Sequence, residues 1–152
     1  MKKALLFIGL AANSFYMNAA SELDRVLQRD GIVDSDFRII EHKKFDELMR
    51  TITNNMASMF PTKVDANSTI LSVNVSRFGI YTNYKLEDVE TKKDAEYVLF
   101  HFGLAQDYKN YLCSSEFAGS ETFKKLNAKF NINFLNTDSS VIYSLKIPMS
   151  SC

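Results

Sequence analysis

Apolar residues recur at steps of three and four after Glu41. Phe45, Leu48, Met49, Ile52, Met56 and Met59 fall on one stripe, the period of an amphipathic helix. Pro61 ends it, because proline brings no amide hydrogen to a helix. Leu23, Val26 and Leu27 predict a shorter helix over 21–29, stopped at Gly31. Residues 34–40 fit either a helix start or a short extended piece. Two runs then change period. Residues 69–76 carry Ile70, Leu71, Val73 and Val75. Residues 79–86 alternate Ile80, Thr82, Tyr84 and Leu86 against Tyr81, Asn83 and Lys85, which predicts strands joined by a hairpin at Arg77-Phe78-Gly79. Thr91 to Asp94 reads as a capping box with aspartate in place of glutamate. It opens a helix marked by Ala95, Val98, Leu99, Phe102, Ala105 and Leu112, loosened at Gly103. A break at Ser114 or Ser115 and a second cap at Ser120 predict another short helix to about Leu126. Phe130, Ile132 and Phe134, a turn at 136–139, and Val141, Tyr143, Leu145 and Ile147 predict a closing hairpin.

The expected order is α-α-β-β-α-α-β-β. It describes an α+β fold in which helices cover one face of a four-stranded antiparallel sheet. Three methionines on the second helix make a soft surface, better read as core contact with the sheet than as a peptide-binding groove.

With 152 residues the chain is long enough for one domain with a real core. Its 46% hydrophobic and 24% charged composition excludes a disordered or collagen-like chain. Eighteen basic residues balance eighteen acidic ones, so no excess positive charge points to nucleic acid. Twelve phenylalanines and seven tyrosines, without tryptophan, predict an aromatic core.

Residues 1–20 have the three-part form of a Sec-type signal peptide: Lys2 and Lys3, the apolar run Ala4–Ala12, then a more polar tail ending in Ala19 and Ala20. The apolar run is shorter than the roughly 20 residues a membrane span needs. A competing reading is an apolar core helix. Cleavage after Ala19 or Ala20 would leave one α+β domain over 21–152, with 16 basic and 18 acidic side chains. The expected location is periplasmic or extracellular, without stable membrane insertion. In an oxidising compartment the two cysteines, Cys113 and Cys152, are expected to form a disulfide. Two buried free thiols are the alternative.

The stretch Phe60-Pro61-Thr62-Lys63-Val64-Asp65 leads into the first strand. It is followed by Ile80-Tyr81-Thr82-Asn83-Tyr84, by Leu112-Cys113 closing a helix, and by a terminal hairpin ending in Cys152. This order resembles small exported Gram-negative proteins with a proline–x–x–valine–aspartate turn, a tyrosine-rich strand and one disulfide. One group of them is the quorum-sensing-regulated virulence factors. The resemblance covers roughly residues 45–152 and implies secretion and an α+β fold, but no reaction. Asp138-Ser139-Ser140 stands where a glycine is usual in the last turn.

Candidate chemistry is sparse. His42 lies beside Lys43 and Lys44, and His101 lies between Phe100 and Phe102; neither has the spacing of a metal site or triad. Asp46 and Glu47 are adjacent and do not share a helix face. No phosphate loop, HExxH or GxSxG motif occurs, and no cofactor or metal is expected. The most distinctive candidate is a strand face with Tyr81, Asn83 and Lys85 beside Asn131 and Asn133, residue types suited to protein recognition. An ordinary solvated sheet face is the alternative. The chain therefore reads as an exported, non-enzymatic protein that binds an unknown protein partner, with virulence one setting for it. A second reading is a periplasmic enzyme inhibitor or chaperone-like adaptor. A hydrolase with an unrecognised site is the third, and a deep pocket holding perturbed carboxylates would favour it.

Overall fold

Four of the helices start where a short polar side chain meets a free amide. Ser21 accepts a hydrogen bond from the Asp24 amide at 3.1 Å and opens α1, Glu22–Arg29. The computed structural model describes residues 21–152, so the signal-peptide reading of 1–20 lies outside the described residues. The stripe after Glu41 forms α2, His42–Ala57, with Phe45 and Met49 buried. The capping box of Thr91 and Asp94 starts α3, Lys92–Glu96. After α3 the chain makes a wide π-helical turn, Tyr97–His101, then a left-handed Gly103 with φ 73°, and resumes as α4, Leu104–Cys113. The helix expected over 91–112 is thus divided. A π turn adds a residue to the helical repeat and rotates the next turn off the original stripe. Ser115 caps α5, Glu116–Gly119, and Ser120 caps α6, Glu121–Lys125.

The sheet is not the expected four-stranded antiparallel one. It has five strands in spatial order β1-β2-β3-β4-β5: β1, Thr62–Lys63; β2, Ser68–Ser76; β3, Gly79–Leu86; β4, Lys129–Leu135; β5, Val141–Pro148. Neighbours pair antiparallel except β3 and β4, which run parallel with Ile80 beside Phe130 and Tyr84 beside Phe134. Two physical facts explain the correction. A two-residue strand such as β1 has no period to read. Alternation sets which face a side chain takes but carries no information on strand direction, and the helical connection over 87–128 is long enough to return the chain to the starting end of the sheet. Gly79 sits at this junction with φ +132°, and a Cβ there would fall 1.9 Å from the Lys129 carbonyl oxygen. Only glycine lets the two strands begin side by side.

One core holds these parts together. Val73, Val75, Ile80, Tyr84, Phe130, Ile132, Phe134 and Ile147 line the inner face of the sheet. Phe45 from α2 meets Phe123 from α6 at 5.9 Å between ring centroids, and Phe123 meets Phe117 at 5.5 Å. Tyr108 from α4 packs on both Tyr84 and Phe134. Cys113 at the end of α4 is joined by a disulfide to Cys152, with Cα atoms 5.1 Å apart. The bond follows a single 3-10 turn, Met149–Ser151, whose Met149 is fully buried.

Candidate functional site

The parallel register brings the predicted sheet-face residues together. Tyr81 lies beside Asn131 and Asn83 beside Asn133, on the face away from the helices, with Lys85 on the same strand face. Their amides largely satisfy one another. Ser144 donates to Asn133 at 2.8 Å, Asn133 to Asn83 at 3.1 Å, and Asn83 to Ser72 at 2.9 Å. This chain of hydrogen bonds crosses β5, β4, β3 and β2. Asn131 is buried and donates to the Lys129 carbonyl. Tyr81 is the exposed ring of this face, at 38%.

The two histidines do not form a catalytic pair. His42 sits at the exposed start of α2, where its Nδ1 lies 3.4 Å from the Arg77 guanidinium. Arg77, in the β2–β3 turn, is held by Asp46 on α2. His101 is exposed and stacks on Tyr97 at 4.7 Å. Among the described residues no three histidine, cysteine or carboxylate side chains gather as a metal site.

The sequence pattern misses a second surface. Phe102, assigned to the buried stripe, is 63% exposed, and Tyr97 and Phe100 are 56% and 57% exposed. Tyr97, His101 and Phe102 contact one another edge-on or stacked, and Phe100 meets Tyr143 of β5 at 6.1 Å. Burying such a side chain is worth about 1.5–3 kcal/mol, so leaving three of them more than half in water forgoes roughly 1 kcal/mol each. Tyr97 and Phe102 thus form a small exposed cluster with His101, and Phe100 lies against Tyr143. A signal for it exists in the sequence. Tyr97-Val98-Leu99-Phe100-His101-Phe102 is bulky on every side of a helix, and a helix on a sheet buries only one side.

Beside these rings runs a groove of about 390 Å³ between the π turn with α4 and the outer strand β5. Leu99, Phe100 and Ala105 form one wall, and Leu145, Ile147 and Pro148 the other. Gln106, Lys109, Lys146 and Ser151 supply its polar groups, and no carboxylate, histidine or cysteine lines it. The carboxyls held below their usual range lie elsewhere. Asp94 is lowered by the Thr91 hydroxyl in the capping box, and Asp30 by its hydrogen bond from Arg29. Burial pushes the Tyr84 phenol well above its ordinary value, and it pushes Tyr108 up to about 12. Both are packing tyrosines under the sheet. Among the described residues no helix is long and apolar enough to cross a membrane.

No family model matches the chain, and no curated protein aligns with it. Solved structures do resemble it. A candidate secreted protein from Pseudomonas aeruginosa superposes with a TM-score of 0.54 at 8% identity, over 74% of this chain and 96% of that one. The two share a fold. A pilotin of the type 2 secretion system from Vibrio vulnificus gives a TM-score of 0.48 at 10% identity, over 73% of this chain and 94% of that one. A type II secretion system pilotin from Vibrio cholerae gives 0.39 at 10% identity, with the same coverage of each chain. At these scores the pilotin likenesses are too loose to transfer a role.

Proposed function

We propose that this is an exported, non-enzymatic binding protein that docks a protein partner on the aromatic-rimmed groove beside β5. The observation that carries the reading is the exposed Phe100 ring lining an apolar groove, with the exposed Tyr97 and Phe102 on the adjoining turn. Aromatic rings around a concave apolar centre are what energetic hot spots of interfaces are made of. The hydroxyl in the groove lining, Ser151, donates to the Pro148 carbonyl rather than to a base, which favours holding a ligand over converting it. Export is supported by the signal-like residues 1–20, by the disulfide, which persists in oxidising compartments, and by the fold shared with a candidate secreted protein. A finer placement among quorum-sensing-regulated virulence factors rests on the sequence resemblance alone. The choice between inhibitor and adaptor depends on the partner.

A second reading places the contact on the opposite face, at Tyr81 with Lys85 and Asn131. Tyr81 favours it as the exposed ring there. One experiment separates the two. A photo-crosslinking amino acid is placed at Phe102 or at Tyr81 in the native host, and adducts are identified by mass spectrometry. A specific adduct from position 102 and none from 81 supports the groove. The reverse moves the site to the sheet face, and no protein adduct from either position removes the binding reading.

A further inference from the structure

Strand β5 is the outer strand of the sheet on its side. Its hydrogen-bonding direction can be assigned residue by residue. The Met149 amide donates to the Ala128 carbonyl at 3.0 Å, so this pair is a hydrogen-bonded one. In an antiparallel ladder such pairs alternate with non-bonded ones. With Ile147 opposite Phe130, Leu145 opposite Ile132 and Tyr143 opposite Phe134, those residues direct their backbone groups at β4. The amides of Ser144 and Lys146 therefore point outward, whereas Ile142 sits at the register shift between Phe134 and Leu135, where the alternation is interrupted. Pro148 falls in the outward set, where a missing amide hydrogen costs the ladder nothing.

The outward row reaches the groove at Lys146 and Pro148, and the charged side chains that line the groove are both basic. Lys109 of α4 and Lys146 of β5 both line it, neither makes an ion pair among the described residues, and no carboxylate accompanies them. We infer that the groove takes an extended, acidic and apolar segment of a partner protein, added as a further strand to β5 over Ser144–Lys146. This rests on the binding reading above and names the chemistry of its ligand. Main-chain bonds to Ser144 and Lys146 hold the segment in register. Alternate side chains of a strand face one side, so every second residue enters the groove between Leu99 and Ile147. The intervening residues face the side of the sheet that carries Lys146, opposite Asn131, where carboxylates meet its ammonium. An acidic residue at the α4 wall of the groove meets Lys109, which makes the contact selective against basic sequences.

The test uses the protein purified from its own host and a phage-displayed library of random twelve-residue peptides, followed by titration of the enriched peptides. The expected result is a consensus of alternating apolar residues with Asp or Glu between them. Affinity should fall at least tenfold in the double variant Lys109→Glu, Lys146→Glu. Hydrogen exchange at the Ser144 and Lys146 amides should slow when peptide binds, a change that a merely electrostatic contact would not produce. Ser144→Pro removes an outward amide together with the hydroxyl that donates to Asn133 on β4, so it is compared with Ser144→Ala, which loses the hydroxyl alone. The proline variant should bind more weakly than the alanine variant at a similar thermal midpoint. No enriched peptide, a consensus with helical spacing or basic residues, or binding indifferent to charge reversal overturns the inference. A partner that crosslinks to position 102 but binds the charge-reversed protein undiminished leaves the binding reading standing and removes only this one.

Discussion

The two sides of the sheet treat their outer strands differently. On the β2 side the edge is closed. β1 pairs with Thr69 and Ile70 only, but further along α2 takes over: the Val75 amide donates to the Thr53 hydroxyl at 2.9 Å, and Arg77 is tied to Asp46. On the β5 side the helical wall is cut by a π turn and Gly103, stands off from the strand, and leaves a groove with exposed rings. An unpaired strand is a template for further pairing, and proteins usually blunt it. Here one edge is blunted by an unbroken helix, and the other is left with open backbone groups beside apolar surface. The α2 side is therefore closed by packing and hydrogen bonds, whereas the β5 side leaves apolar surface and backbone groups exposed.

Five measurements bear on that contrast. The largest effect belongs to the closed side. Phe45→Ala should lose about 3–5 kcal/mol in urea denaturation, because Phe45 is fully buried against Phe123; a loss under ~1 kcal/mol would mean α2 is not the anchor. Cutting the disulfide by Cys113→Ser with Cys152→Ser should cost about 2–4 kcal/mol, since the two cysteines are 39 positions apart and hold the 3-10 turn at the end of the groove. An unchanged unfolding midpoint would show that Met149 pins the turn without the bond.

The third concerns Tyr108, which fastens the groove's helical wall to the core. Its phenol is raised to about 12 by burial, with Tyr84 raised as well. A raised folded-state pKa gives stability that is complete below the unfolded value near 10 and lost as pH climbs through the folded one. The unfolding free energy from urea titrations should therefore fall between pH 10 and 12, by on the order of 2 kcal/mol for Tyr108. Tyr108→Phe should flatten much of that fall; a pH profile identical to the parent would place the phenol in water. Thr53→Val, measured by the same denaturation, should cost about 1–2 kcal/mol by stranding the Val75 amide. No change would show that the edge is closed without this bond. Smallest, Phe102→Ala should move stability by no more than about 0.5 kcal/mol because the ring is mostly in water. A core-sized loss there would turn the exposed patch into a packing element and erase the contrast.

Much of the inner face is legible in the residue pattern. The alternation Ile80, Thr82, Tyr84, Leu86 falls on buried positions, and Tyr81 opposite them is exposed. The capping box at Thr91 and the cap at Ser120 form with the hydrogen bonds their residue types demand. The candidate site is legible only in part. Tyr81, Asn83, Asn131 and Asn133 can be put on strand faces, but which strands adjoin is needed to place Asn83 against Asn133. The aromatic surface at Tyr97, Phe100 and Phe102 is hidden because a stripe counted at 3.6 residues per turn runs through Phe102 as though the helix were regular. One added residue in the π turn moves that ring to the outside. The role of the buried Asp24 is equally invisible. It sits at a polar-looking position of α1, yet it caps α6 by accepting from Ser120, Glu121 and Thr122, residues almost a hundred positions away.

Local pattern set the faces of the strands, the capped starts of the helices and the aromatic character of the core, because side-chain period and capping act over one to four residues. The parallel β3–β4 pairing, the two-residue strand β1, the interruption after α3 and the groove along β5 came from the assembly of the whole chain. Each of these depends on contacts between distant segments, where a strand finds its neighbour and a helix must fit the space that neighbour leaves. Alternation and stripe spacing are blind to that choice, since the same apolar face can be buried against more than one partner.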